Sequence, residues 1–177
     1  MGIISPALYL KGDKSNILSI VILIQNSALE ILKSATKYGT NLKAIAVTGS
    51  INAITTGADT AARVYDSSAW LPVSIADAIG AQNPYISYCV AKAESEKAIW
   101  KYVEEEKPKY SVSVLLPALI FGPPIQPVKS LKGLNYSTGT LYELINGSHD
   151  VVPATTFPSY VSPFIYPVLV RGVDELR

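Results

Sequence analysis

The chain is 177 residues long, 49% hydrophobic and 16% charged, with 15 basic against 14 acidic side chains and a net charge of +1. That is chain enough for one domain with a sizeable core, too apolar for a disordered segment, and too evenly charged, with no basic run, to favour a nucleic-acid partner. Its single cysteine, Cys89, rules out an intrachain disulfide and suits a reducing, cytoplasmic compartment.

No apolar run approaches the ~20 residues of a membrane span. The N-terminus shows neither the basic region nor the cleavage site of a leader. No membrane partner is therefore expected. Gly2-Ile3-Ile4 is a short apolar stub before Ser5-Pro6, and Lys11 to Asn16 is loop-like.

Ile17 to Tyr38 is predicted to be a helix stopped by Gly39. Ile17, Ile20, Val21, Ile24, Ala28, Ile31, Leu32 and Ala35 form its stripe. Leu18, Ile22 and Leu23 make the first half apolar nearly all round. Such a helix is buried on two sides or packs against another subunit. Leu42 to Thr48 then reads as a buried parallel strand. It delivers Ser50 to the strand's C-terminal end, where open α/β sheets bind ligands; an ordinary polar residue in a turn is the plainer alternative. Thr55 to Gly80 is a long irregular connection.

Asn83 to Glu106 is the second predicted helix, capped by Asn83, begun by Pro84 and ended by Pro108. Tyr88 and Lys92 are four apart and so share a face, about 5–6 Å apart at Cβ. A cation beside a phenol favours the phenolate and lowers a pKa otherwise near ~10, which suits proton transfer. By itself the spacing is weak evidence, because 11 tyrosines make roughly one Tyr-x-x-x-Lys pair expected by chance. Cys89, mid-helix, reads as a small buried hydrophobe.

Val112 to Leu116 is a second buried strand, closed by Pro117, after which Phe121-Gly122-Pro123-Pro124 breaks the pattern. Helix, strand, helix, strand is the rhythm of a parallel α/β sheet. Further on, Ser137 to Asn146 is a helix candidate capped by Ser137 or Thr138. His149, the only histidine, reads as a surface-loop residue. Val151 to Arg177 is rich in Pro and aromatics without clear period. No metal-ligand cluster or internal repeat is present in the sequence.

Five ordered stretches resemble one family. Ser5-Pro6 resembles an Ala-Ser-Pro turn, and Thr48-Gly49-Ser50-Ile51-Asn52-Ala53 a Thr-Ser-Ser-x-x-Ala. Asp66-Ser-Ser-Ala-Trp70-Leu-Pro72 resembles an acidic-x-x-x-Trp-x-Pro stretch. Tyr88-Cys-Val-Ala-Lys92 followed by Ala98-x-Trp100 resembles Tyr-Cys-x-Ser-Lys and its Ala-Trp. Leu116-Pro117-Ala-Leu-Ile120-Phe-Gly-Pro123 resembles Pro-x-x-Val-Phe-Gly-Pro. Five collinear marks are far more specific than one. They cover about Ser5 to Tyr160 and resemble the extended branch of the short-chain dehydrogenase/reductase superfamily, closest to fungal aldehyde and ketone reductases and plant dihydroflavonol reductase.

The resemblance implies an α/β fold: the half of a Rossmann-type, doubly wound parallel sheet that contains strands 4–6, plus the start of a small substrate domain. Residues 1–122 would be the C-terminal half of the dinucleotide-binding domain, and 123–177 an incomplete substrate-binding region. It implies a carbonyl reductase using NADP(H) or NAD(H) on a small carbonyl substrate. Tyr88 would be the acid, Lys92 its activator and a ligand of the nicotinamide ribose, and Ser50 the holder of the substrate oxygen. Ser5, Thr48, Pro117 and Ile120 would join Tyr88 and Lys92 around the cofactor; no metal is implied. A homodimer through the 17–38 and 83–106 helices is implied as well. The family's Gly-x-x-Gly-x-x-Gly turn is not among the 11 glycines, so the chain is expected to be clipped at both ends and to bind cofactor weakly by itself. Two alternatives stand beside the reductase: a non-catalytic remnant serving as a dimerisation or binding module, and another extended-branch epimerase, dehydratase or hydroxysteroid dehydrogenase.

Overall fold

A computed structural model describes residues 14–57, 64–121, 127–128, 130–147, 159–161 and 169–172. The stub Gly2-Ile3-Ile4, Ser5 and His149 lie outside the described residues. Helix α1 is Lys14–Tyr38, beginning three residues before the predicted stripe. It ends at Gly39, whose N–H still bonds the Ala35 carbonyl and where a Cβ would lie 2.5 Å from that oxygen. Val21 and Leu32 are buried, whereas Leu18, Ile22, Leu23 and Ile31 are exposed.

Strands β1 (Ala44–Thr48) and β2 (Ser111–Leu116) run parallel, from Ala44 opposite Ser111 to Thr48 opposite Leu115. Between them in the chain come α2 (Ile75–Ala81) and α3 (Pro84–Glu106). Beyond β2 lie β3 (Leu119–Phe121), α4 (Tyr136–Ile145), β4 (Ser159–Val161) and β5 (Leu169–Gly172). β5 adds to β2 in antiparallel sense, and β3 pairs with β4 in parallel as a separate ribbon.

The core fills the space between one face of the sheet and helices α1 and α3. Val112, Val114 and Leu116 from β2 meet Leu32, Val90 and Ile99 there. Full burial of each such side chain contributes about 1.5–3 kcal/mol. β1 departs from the expectation of a wholly buried strand: Ile45 and Val47 pack on the core, while Ala44, Ala46 and Thr48 are exposed. The reason is that, among the described residues, the helices cover one face only.

Three polar groups tie this core together. Tyr102 Oη donates to Thr36 Oγ1 at 2.8 Å, and Tyr110 Oη donates to the Leu32 carbonyl at 3.0 Å. The 2.9 Å contact between Thr36 and Tyr110 therefore takes its proton from Thr36. Gln25 Nε2 also donates to the Glu94 carbonyl, joining α1 to α3.

Three expectations are corrected. The supposedly irregular Thr55–Gly80 stretch contains most of α2, opened by a capping box in which Ser74 and Asp77 bond each other reciprocally. α4 is capped by Asn135, whose Oδ1 accepts from Thr138 N at 2.9 Å, and not by Ser137 or Thr138. Finally, among the described residues Ile17–Tyr38 is, by length and composition only, a helix long and apolar enough to cross a membrane, with mean hydropathy 1.5. The membrane length criterion is met because apolar residues off the stripe add to those on it.

Candidate active site

The site begins where β1 ends. Gly49 N donates to the Leu115 carbonyl at 2.7 Å, and Ile51 N to the Pro117 carbonyl at 3.0 Å. These bonds fasten the chain after β1 to the end of β2. Gly49 is required there by close approach, since a Cβ would sit 2.8 Å from Leu116 Cδ2 and 3.0 Å from Val114 Cγ1. Ser50 follows in extended conformation and caps the short 3-10 turn Ile51–Ala53, its Oγ accepting from Asn52 N at 3.2 Å. The serine is buried, and its hydroxyl donates to Asn52 Oδ1 at 3.3 Å.

The second wall is the first two turns of α3. Asn83 Oδ1 accepts from the N–H groups of Tyr85 and Ile86, and Pro84 occupies the first helical position. Tyr85, Tyr88, Cys89 and Lys92 then recur at i, i+3, i+4 and i+7, one face of the helix. That face docks on the Ser50 turn: Asn52 Nδ2 donates to Tyr85 Oη at 2.6 Å, and Tyr85 Oη donates to the Thr56 carbonyl at 2.8 Å.

Electrostatics on this face follow from burial. Lys92 Nζ lies 5.7 Å from the centroid of the half-buried Tyr88 ring. Loss of solvent lowers the Lys92 pKa below the usual lysine value. Burial pushes the Cys89 thiol up to about 11, so it is a neutral thiol at physiological pH and not a poised nucleophile. Burial likewise pushes the Tyr85 phenol well above the ordinary tyrosine range.

The remaining predicted residues surround this junction unevenly. Thr48 ends β1 with its side chain exposed, and half-buried Pro117 follows β2 with its carbonyl holding the Ser50 turn. Ile120, in β3, is 42% exposed. The Asp66–Pro72 stretch proves to be a brace. Asp66 Oδ1 accepts from Ser68 N and Oγ, and Leu71 N donates to the Ala53 carbonyl. Trp100, in the last of the α3 marks, donates to buried Glu96. Asn52 and Tyr85 were not among the predicted site residues. Tyr85 could have been found from its place three residues before Tyr88 on the same face, but nothing local marks Asn52.

A cleft of about 780 Å³ runs between α1 and α3, lined by Lys33, Lys37, Lys97, Lys101, Glu94 and Glu105 among others. By the helical period Glu94, Lys97, Lys101 and Glu105 lie on the side of α3 away from Tyr88 and Lys92, and neither Tyr88 nor Lys92 lines this cleft. Among the described residues no group of three or more His, Cys, Asp or Glu side chains could hold a metal.

A serine at a strand's C-terminal end and a helix that carries Tyr and Lys four apart thus meet on a parallel α/β sheet. No protein-family model matches the chain. It is 35% identical over 91 residues to an uncharacterized oxidoreductase of Schizosaccharomyces pombe, covering 51% of this chain and 27% of that protein. It is 32% identical over 142 residues to a Candida albicans protein named as an NADPH-dependent methylglyoxal reductase, covering 79% of this chain and 39% of that protein. Among solved structures, a reductase from an engineering study in asymmetric catalysis superposes with a TM-score of 0.70 at 25% identity, over 89% of this chain and 47% of that one. These likenesses support the extended short-chain dehydrogenase/reductase family. It spans well under half the length of the curated relatives it matches.

Proposed function

We propose that the protein is an NADPH-dependent reductase of small aldehydes and ketones. The observation that carries this is the Tyr88–Lys92 face of α3 docked against the Ser50 turn. The Candida relative, named for NADPH and methylglyoxal, supports both the cofactor and the substrate class.

The residues present fit the nicotinamide end of that cofactor. Lys92 is a donor whose charge is disfavoured by burial, and a ribose hydroxyl beside it would replace lost solvent. Thr48, Pro117 and Ile120, at the ends of β1 and β2 and in β3, would line the same end, with Ser5 in the same role. When bound, the cofactor supplies the hydride. Ser50 would hold the substrate carbonyl oxygen through its hydroxyl, where negative charge develops. Tyr88 would give its phenolic proton to that oxygen, and the Lys92 ammonium would stabilise the phenolate left behind. No Gly-x-x-Gly-x-x-Gly turn occurs in the sequence, so these residues serve the reacting end and not the pyrophosphate.

Residues 1–122 would form the nucleotide-binding half and 123–177 the beginning of the substrate side, with β5 reaching back to β2. Exposed Leu18, Ile22 and Leu23 on α1, beside a cleft lined by both signs of charge, favour a homodimer through α1 and α3. The lone, buried thiol of Cys89 suits the cytosol. The test is NADPH consumption by the purified full-length protein on addition of methylglyoxal. Saturable turnover is expected, and cofactor binding without turnover on any small aldehyde or ketone would overturn the assignment.

A further inference from the structure

Two carbonyl groups fix which way the Asn52 amide points. Its Nδ2 lies 3.2 Å from the Thr55 carbonyl and 2.6 Å from Tyr85 Oη. A carbonyl only accepts, so Thr55 requires the amide nitrogen on that side. Tyr85 gives its own proton to the Thr56 carbonyl and therefore receives one from Asn52. Both amide hydrogens are thus spent, and Oδ1 faces Ser50. Ser50 Oγ accepts from Asn52 N and must donate its hydroxyl proton to Oδ1.

We propose that Asn52, anchored through Tyr85, is the positioning residue of Ser50: it holds the hydroxyl proton in one orientation until a carbonyl oxygen takes it over. The contacts grade in the right order. At 2.6 and 2.8 Å the Tyr85 bonds are short, whereas the Ser50 to Oδ1 bond is long at 3.3 Å. The anchor is firm and the last link is weak. A neutral ground-state carbonyl competes poorly with the Asn52 amide oxygen for the proton. An oxygen gaining charge as hydride arrives competes well, so the exchange favours the transition state. This rests on Ser50 being the carbonyl-holding hydroxyl.

The test is a double-mutant cycle between Ser50→Ala and Tyr85→Phe, two positions joined through Asn52, repeated in an Asn52→Ala background. By thermal melting, the two substitutions are expected to miss additivity by about 2–4 °C in Tm with Asn52 present, and to add once it is replaced. Additivity in both backgrounds overturns the latch. In turnover, Tyr85→Phe is expected to lower kcat on the order of tenfold with KM little changed, and to have no effect once Ser50 is Ala. An equal loss in both serine backgrounds would make Tyr85 merely structural and also overturn it. A wild-type protein with no carbonyl reductase activity would sink the function above, while the melting cycle would still decide the latch.

Discussion

Lys92 shows how one residue's environment becomes a pH dependence. Burial lowers its folded pKa below the ordinary 10.5. Between the two values the unfolded chain binds more protons than the folded one, so this group makes stability rise with pH through that alkaline window. Below the folded pKa the cost of burying the ammonium is present in full. Lys92→Met removes it. In the absence of cofactor the variant should melt at or above wild type at neutral pH, and the difference should shrink as pH climbs toward the ordinary lysine range. Melting curves across pH decide this; a gap that widens with pH would mean the lysine is held charged by a partner. The same residue scale marks the limit of sequence patterns. Tyr88 and Lys92 were legible from spacing and collinear marks. The Asn52–Tyr85 contact joins residues 33 apart and exists only because α3 docks on the Ser50 turn.

At the scale of elements, α1, α3, β1 and β2 were legible because each carries its own signals: an apolar stripe or run, an Asn-Pro start, a Gly or Pro stop. α2 was not, because seven residues are too short to show a stripe. Its one local cue was Ser74 three residues before Asp77. β4 and β5 are defined by pairing with β3 and β2, long-range partners that no local period announces. The α3 cap matters beyond the helix, since its first turns carry Tyr85 and Tyr88. Asn83→Ala removes the acceptor for two N–H groups and should cost about 0.5–2 kcal/mol. Denaturant unfolding measures this, and a midpoint unchanged from wild type would show that docking alone sets the α3 start.

At the scale of the whole molecule, the Tyr102–Thr36–Tyr110 chain couples α1, α3 and the residue leading into β2. Tyr110→Phe takes an acceptor from Thr36 and a donor from the Leu32 carbonyl, in a site where Tyr110 is only 6% exposed. A loss of about 1–3 kcal/mol is expected, read by denaturant unfolding; a neutral result would mean that the two groups find other partners. The α/β class and the parallel β1–β2 pair agree with the sequence, whereas the exposed outer face of β1 depends on what covers the sheet.

The proposed chemistry converges on one phenol, that of Tyr88. The most direct measurement is the rate of NADPH-dependent methylglyoxal reduction by the full-length protein and its Tyr88→Phe variant, with NADPH affinity measured alongside. Loss of the proton donor should lower kcat by about 10²–10⁴-fold while the cofactor Kd changes little. A variant that turns over within about twofold of wild type would show that Tyr88 is not the acid and that the site works by another route.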